Sequence, residues 1–409
     1  MGIAGDTKRA AGLGRPYWTL WWSAAVNGTG DGVFAAALPL FAASLTRDPL
    51  AVSAVSAATY LPWLLLSLPA GAIVDRRDRM TLLWRSQVFA AIVMAGATVL
   101  VALHLAGIAL LCVAGFLLGA ADTIFGNAWV TVLPELLGPE KLVLGNARMQ
   151  IANIVTSNFA GPPLGSLLFG WAAWLAFGAD GLSFALAAVL LMMVRPGRRP
   201  VVEAVRRRPM RRDIAEGLRW LLRHRLLRTL AVVFAVNCLS NQLAMATLVL
   251  LATEKYGLNA HQYGLLLSAL AVGGVVGALV NARLNRWLGS LGATVLAVAM
   301  NTVLYLLVGT APNAIVLGAL LAATTATTTL WNVSTVSLRQ QLVPRELLGR
   351  VNSAYRMCGW GLMPVGAAVG GLLAARFGIG VPFPVAGVLR TLVLLAALPV
   401  LIGAIRRPA

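Results

Sequence analysis

Asp31 stands about 13 residues into an apolar run that begins near position 18, so it lies roughly 20 Å along a helix at 1.5 Å per residue. A carboxylate at the centre of a lipid-spanning helix costs on the order of 3 kcal/mol on insertion scales, and such residues face an aqueous cavity where they bind or release a cation. Asn27 is four residues earlier, on the same helical face, and Gly28, Gly30 and Gly32 flank the pair. Asp31 is therefore the first candidate for a proton acceptor or a contact to a substrate cation. The plainer reading is a structural carboxylate bonded to a neighbouring helix. Asp122, midway along another apolar run, is the second candidate with the same alternative. Asn237 and Asn241 share one helical face, with Gln242 beside them, and are expected to line the far side of the same cavity or to join helices through hydrogen bonds. Asp180 and Arg390 lie nearer the ends of their runs. They read as an interfacial helix residue and an arginine that snorkels outward, with a partner for an acid or an anionic substrate as the sharper reading of Arg390. Trp129 and Trp331 read as interface residues, and Arg148 and Arg356 as anchors or gate residues.

The elements that must position these groups follow from composition. Of the 409 residues 59% are hydrophobic and 11% are charged, against about 25% charged in a soluble domain. A soluble enzyme and a disordered chain are both excluded. Apolar runs fall at about 18–45, 52–74, 82–103, 107–133, 148–174 and 175–194, and again at 229–252, 262–281, 291–309, 313–337, 352–375 and 384–404. Each is near the ~20 residues that cross a bilayer, and none alternates as barrel strands would. The fold class expected is all-α integral membrane, with 12 transmembrane helices. Placing the N-terminus inside puts all but four of the 33 Lys and Arg residues on one side, the exceptions being Arg47, Lys255, Arg376 and Arg390. The positive-inside rule then sets both termini in the cytoplasm. The stretch 195–228 carries twelve arginines. Its second part spaces Ile214, Leu218, Leu221 and Leu222 as an amphipathic helix, expected to lie on the anionic inner leaflet. Orientation accounts for the net charge of +19, so no nucleic-acid partner is expected.

Cys112, Cys238 and Cys358 all lie in apolar runs without metal-ligand spacing, and read as buried core residues. Three scattered histidines, His104, His224 and His261, and the lack of a phosphate loop leave no enzyme signature and no expected metal or cofactor. Energy must then come from an ion gradient or from the substrate's own gradient. The first apolar run is too long for a cleaved signal and reads as a retained span. Arginine far outnumbers lysine, which with the Ala and Gly content points to a GC-rich bacterial genome.

The chain repeats itself. Gly71-Ala-Ile-Val-Asp75-Arg76-Arg77-Asp78-Arg79 recurs as Gly277-Ala-Leu-Val-Asn281-Ala-Arg283-Leu-Asn285-Arg286, 206 residues on. Glu140 and Glu346, and Asn146 and Asn352, keep the same offset, and Gly161 with Gly165 recurs as Gly366 with Gly370 at 205. Two six-helix halves of like topology are the expected build of a transporter that rocks about a central site. The halves are placed at 1–194 and 229–409, joined by a basic linker, 195–228, that carries the amphipathic helix. Within the first half, Gly161 and Gly165 let a neighbouring helix approach closely, while Pro162 and Pro163 remove backbone donors and kink the helix.

Gly71, Asp75, Arg76 and Arg79 resemble the cytoplasmic signature of the major facilitator superfamily, with Asp78 and Met80 departing from its usual glycine and basic residue. Twelve spans, a basic central loop and a 6+6 repeat extend the resemblance over essentially the whole chain. Asn27-Gly-Thr-Gly-Asp31-Gly, Leu38-Pro39-Leu40, Leu133-Pro134-Glu135-Leu136 and Gly161-Pro162 resemble the macrolide-efflux and enterobactin-exporter branch. The span-four arginine of another antiporter branch is absent near Gly115. Arg148, Ser157 and Ser166 replace glycines of the span-five antiporter pattern, so direction of transport rests on a partial motif.

The resemblance implies the major facilitator fold and a latch at Asp75 that holds the halves together while the site faces outward. The plainer reading makes Arg76, Arg77 and Arg79 topology anchors. It also implies a seal against proton leak at Gly161, Pro162 and Gly165. The function so implied is a proton-coupled exporter of small hydrophobic or amphiphilic compounds such as antibiotics, siderophores or secondary metabolites. It would act as a monomer in a bacterial inner membrane, with protons, a small-molecule substrate and the bilayer as its partners. The alternatives are a proton-coupled nutrient importer, a lipid flippase and a non-transporting sensor.

Overall fold

A computed structural model of the protein describes residues 13–137, 139–194, 210–344 and 347–406. Among them there is no strand. In chain order the helices are α1 (Arg15–Leu45), α2 (Pro49–Arg76), α3 (Arg79–Ala102), α4 (Ile108–Leu136), α5 (Pro139–Asn153), a π-helical stretch (Ile154–Ala160), α6 (Gly161–Trp171), α7 (Ala173–Met193) and α8 (Met210–Arg223). They continue with α9 (Arg225–Met245), α10 (Leu248–Leu250) and its π-helical continuation (Leu251–Lys255), α11 (Ala260–Val308), α12 (Ala314–Leu342), α13 (Leu348–Trp360), α14 (Met363–Phe377) and α15 (Pro382–Arg406).

Eleven described segments are long and apolar enough to cross a membrane. The remaining expected span, 148–174, does cross the same length of helix, but in pieces. Neither α5, 15 residues, nor α6, 11 residues, is long enough alone, and the π-helical stretch joins them. Its cause is local. Pro162 and Pro163 have no N–H to give to carbonyls one turn back, and the cap N–H of Gly161 bonds Thr156 O instead, five residues away. Pro163 would otherwise serve Phe159 O. Ser268 Oγ of α11 donates to that carbonyl at 3.4 Å.

Helix ends carry conventional caps. Asp48 accepts from Leu50 N at 3.0 Å with Pro49 following it, and Asp78 accepts from Thr81 N at 2.7 Å. Asn259 and Gln262 form a reciprocal capping box at the start of α11, satisfying donors a helix leaves open. Within α11 the chain turns at Gly289, whose φ of 69° suits glycine. The connections at 255–256, 309–311 and 380–384 meet at one end, where Tyr256 Oη donates to Ala311 O at 2.7 Å and Gly309 rests on Pro384. This is the arginine-poor end. The opposite end carries the turns at 77–78 and Gly289 and most of the arginines.

Ile92, Val99, Leu182, Leu279 and Leu392 are all exposed on the outer surface of the bundle. An apolar coat of this extent is a lipid-facing surface. Inside, α1 packs on α6 and α7, α2 on α4, and α9 on α14 and α15. Glycines permit the closest crossings: Gly161 lies against Gly32, Gly165 against Val33, Gly366 against Leu239 and Gly370 against the Leu243 carbonyl. Helices from before and after the linker also meet, at the arginine-poor end, where Gly371 lies against Ser53 and Pro49 O, and Gly264 against Ser166 and Pro162 O.

The helix expected in 213–228 forms as α8 and the start of α9, and its apolar residues divide, with Leu222 half exposed and Leu221 turned into the protein. Leu221 is buried in a cluster with Leu227 and Val351. Gly217 rests on the Arg350 backbone, and Glu216 pairs with Arg350 at 2.8 Å. One side of α8 is thus packed against α13. Residues 195–209 lie outside the described residues.

Candidate functional site

Asp31 and Asp122 open into one cavity of about 560 Å³. Both side chains are exposed to that space. The cavity runs from the middle of the bundle toward the arginine-poor end, the end at which α2 meets α14 and α6 meets α11. Asn27 Nδ2 donates to Asp31 Oδ2 at 2.8 Å, the pairing that i, i+4 spacing allows. Among the described residues, no hydrogen bond reaches the second carboxylate oxygen. Asp122 lies on α4, opposite α2, and shares the cavity wall with Trp63. Apolar and aromatic side chains such as Phe34, Leu38, Phe125 and Phe184 make up much of the wall, and Tyr60, Gln87 and Gln242 add polar groups. A mostly apolar space with a few placed polar groups is the form of a small-molecule site.

A second cavity, of about 350 Å³, lies between α9, α11, α12, α13 and α15. It extends from the middle of the bundle toward the arginine-rich end. Asn241 lines both cavities, whereas Asn237 lines only the second. Tyr305 Oη donates to Asn241 Oδ1 at 2.7 Å. Trp63 of the first cavity and Trp360 of the second meet edge to face, with centroids 4.8 Å apart.

The structure therefore brings Asp31, Asn27, Asp122 and Asn241 together and sets Asn237 apart. Two further expectations are corrected. Asp180 is not an interfacial residue: it is fully buried, takes a hydrogen bond from Ser183 Oγ at 3.5 Å and packs on Gly30 of α1. Nor does Arg390 snorkel. It is 3% exposed, lies 3.8 Å over the Tyr305 ring, and donates to Asn301 Oδ1 and to Asn237 O at 3.0 Å. Three partners on α9 and α11 hold it inward.

Gly161, Pro162 and Gly165 sit at the buried crossing with α1. Trp331 is buried in the wall of the second cavity, and Trp129 stacks on Phe125 at 5.4 Å. Arg148 lies over the Trp18 ring at 5.3 Å, and Arg356 over Trp360 at 4.1 Å. Arg79 opens α3. The side chains of Gly71, Asp75 and Arg76, at the end of α2, lie outside the described residues, so no contact is assigned to the signature. Asn301, Tyr305 and Arg339 escape the sequence reading. Asn301 carries the clearest signal, a polar residue near the middle of an apolar run that invites pairing with Arg390 across 89 positions.

A closed apolar coat, helices that repeat after about 206 residues and a largely apolar cavity with placed carboxylates at mid-depth define a multi-pass membrane transporter of the major facilitator type, which is not an enzyme. Residues 13–406 match the family described as transmembrane secretion effector, and the chain belongs to it. It is 28% identical over 399 residues to the multidrug efflux pump Tap of Mycolicibacterium fortuitum, covering 92% of each chain. Solved structures share the fold. A bacterial homologue of the iron transporter ferroportin in an inward-facing state has a TM-score of 0.74 at 18% identity, covering 96% of this chain and 99% of that one. The nucleoside transporter NupG has a TM-score of 0.71 at 11% identity, with 94% and 99% covered.

Proposed function

We propose that the protein is a proton-coupled exporter of small hydrophobic or amphiphilic compounds. It sits in a bacterial inner membrane as a monomer, with both termini and the arginine-rich end in the cytoplasm. The units 1–194 and 229–409 rock about the central space, joined by the linker 195–228. The observation that carries the reading is the pair of carboxyl groups, Asp31 and Asp122, facing one largely apolar cavity at mid-depth. Asn27 orients Asp31 and leaves one of its oxygens to bind a proton or a substrate cation. Occupation by one releases the other, which is the elementary step of antiport. Asp122 stands in the same space and shares the charge. The contacts at the arginine-poor end support a state shut toward the outside. In the opposite state, Asp75, Arg76 and Arg79 latch the arginine-rich end, and the Gly161–Gly165 crossing keeps protons from slipping between α1 and α6. The 28% identity to a protein named as a multidrug efflux pump supports export over import.

The test is uptake of a compound panel into inverted vesicles with and without a proton gradient. Uptake that rises with an acidic lumen and releases lumenal protons is expected. Uptake indifferent to the gradient for every compound transported would reject proton coupling.

A further inference from the structure

We infer that the second cavity is an oxyanion site, which takes the carboxylate or phosphate end of an amphiphilic cargo. Arg339, Arg356 and Arg390 all line it, and no carboxylate occurs among the described residues of its wall. From Thr229 onward the chain holds two acids in all, Glu254 and Glu346. The arginines lean on neutral groups instead. Arg390 has Asn301, the Asn237 carbonyl and the Tyr305 ring. Arg339 donates to Asn352 Oδ1 at 2.8 Å and lies 4.0 Å over Tyr355, and Arg356 covers Trp360.

Arginine keeps its charge in any protein setting. A buried cation without a counter-ion is unfavourable, and rings and amides offset only part of that penalty. Three donors are left over. Arg390 Nε, Arg339 Nη1 and Trp331 Nε1 have no hydrogen-bond partner, on side chains that are 3%, 7% and 4% exposed. Planar guanidinium donors match the paired oxygens of a carboxylate or phosphate. Phe234, Val298 and Met363 supply apolar wall for a tail. Because Asn241 borders both cavities, a bound amphiphile can reach from the arginines toward Asp31. The site's description as a cargo site rests on the transport reading; its binding of an oxyanion does not.

The experiment is calorimetric titration of the purified full-length protein in phosphatidylcholine nanodiscs with decanoate and with its uncharged analogue decanamide. Decanoate is expected to bind about tenfold or more tightly than decanamide, the size of one charge-assisted contact. Arg390→Gln should remove that preference. Since loss of Arg390 can also disturb folding, the exposed Arg356 gives the second variant: Arg356→Gln should weaken decanoate several-fold, on the order of one such contact, and leave decanamide unchanged. Equal binding of the two probes by the wild type, or an equal loss of both in a folded Arg356→Gln protein, would overturn the assignment. Phospholipid headgroups share this chemistry, and adding phosphatidylglycerol to the nanodiscs separates the sources. Competition with decanoate assigns the site to lipid, and its absence to a soluble cargo. Binding is read without a gradient, so either result leaves proton coupling to its own test.

Discussion

Positions 206 residues apart face the two cavities, and the chemistry at each pair has diverged. Asp31 corresponds to Asn237, Asp122 to Thr328, Phe125 to Trp331 and Phe184 to Arg390. The first cavity holds the carboxylates and no arginine, while the second holds arginines and no described carboxylate. The framework around them stayed alike. Gly161 and Gly165 press on α1 much as Gly366 and Gly370 press on α9, and each span is interrupted near its middle, by the π-helical stretch before Gly161 and by the turn at Gly361. Backbone crossings are fixed by sterics that leave no room for a side chain. Cavity walls are under no such constraint, so a duplicated bundle can become cation-binding on one side and anion-binding on the other.

The two charges also differ in their solvation, which sets the largest expected effect. Arg390 is 3% exposed and held by neutral partners, whereas Asp31 faces open space. Removing Asn301 strands a buried cation, and Asn301→Leu should destabilise the protein by about 3 kcal/mol or more. Asn27→Leu should change it by less than about 1 kcal/mol, since water in the cavity replaces the lost bond. Thermal unfolding in detergent measures both, and equal losses would erase the distinction between the halves.

The shared framework predicts a second contrast. Gly32→Val should lower stability by about 1–3 kcal/mol through overcrowding of the α1–α6 crossing. Gly170→Ala, in α6 but facing open space, should be neutral or slightly stabilising. Comparable melting temperatures for the two would mean the crossing is looser than described. The smallest effect is expected at the wall between the cavities. Asn241→Ala removes the Tyr305 bond and should cost about 1 kcal/mol, with a modest loss of substrate affinity seen by titration.

Much of this arrangement is legible in the residues themselves. Apolar run length locates the crossings, and the spacing of Asn27 and Asp31 places them on one face with the glycines around them. The inward side of Arg390 is not legible. Helix α15 is apolar almost all round apart from Arg390, so periodicity does not say which of its faces turns to lipid. Only contacts from distant segments, Asn301 on α11 and Asn237 on α9, fix it. The burial of Asp180 is hidden in the same way, because its partner surface is Gly30, 150 positions away. The docking of α8 was hidden by its own amphipathicity, which serves a protein surface as well as a leaflet. Breaks are more readable than faces: Pro162 and Pro163 announce the interruption, though not that Ser268 supplies a donor.

The most direct test of the account separates proton movement from substrate movement in one variant. In reconstituted vesicles, Asp31→Asn should lose gradient-driven accumulation by roughly 100-fold, the scale typical of removing a placed proton-transfer group. The same variant should still exchange labelled for unlabelled substrate with no gradient applied. Accumulation that still follows the proton gradient in Asp31→Asn would contradict the assignment of the coupling proton to this carboxylate.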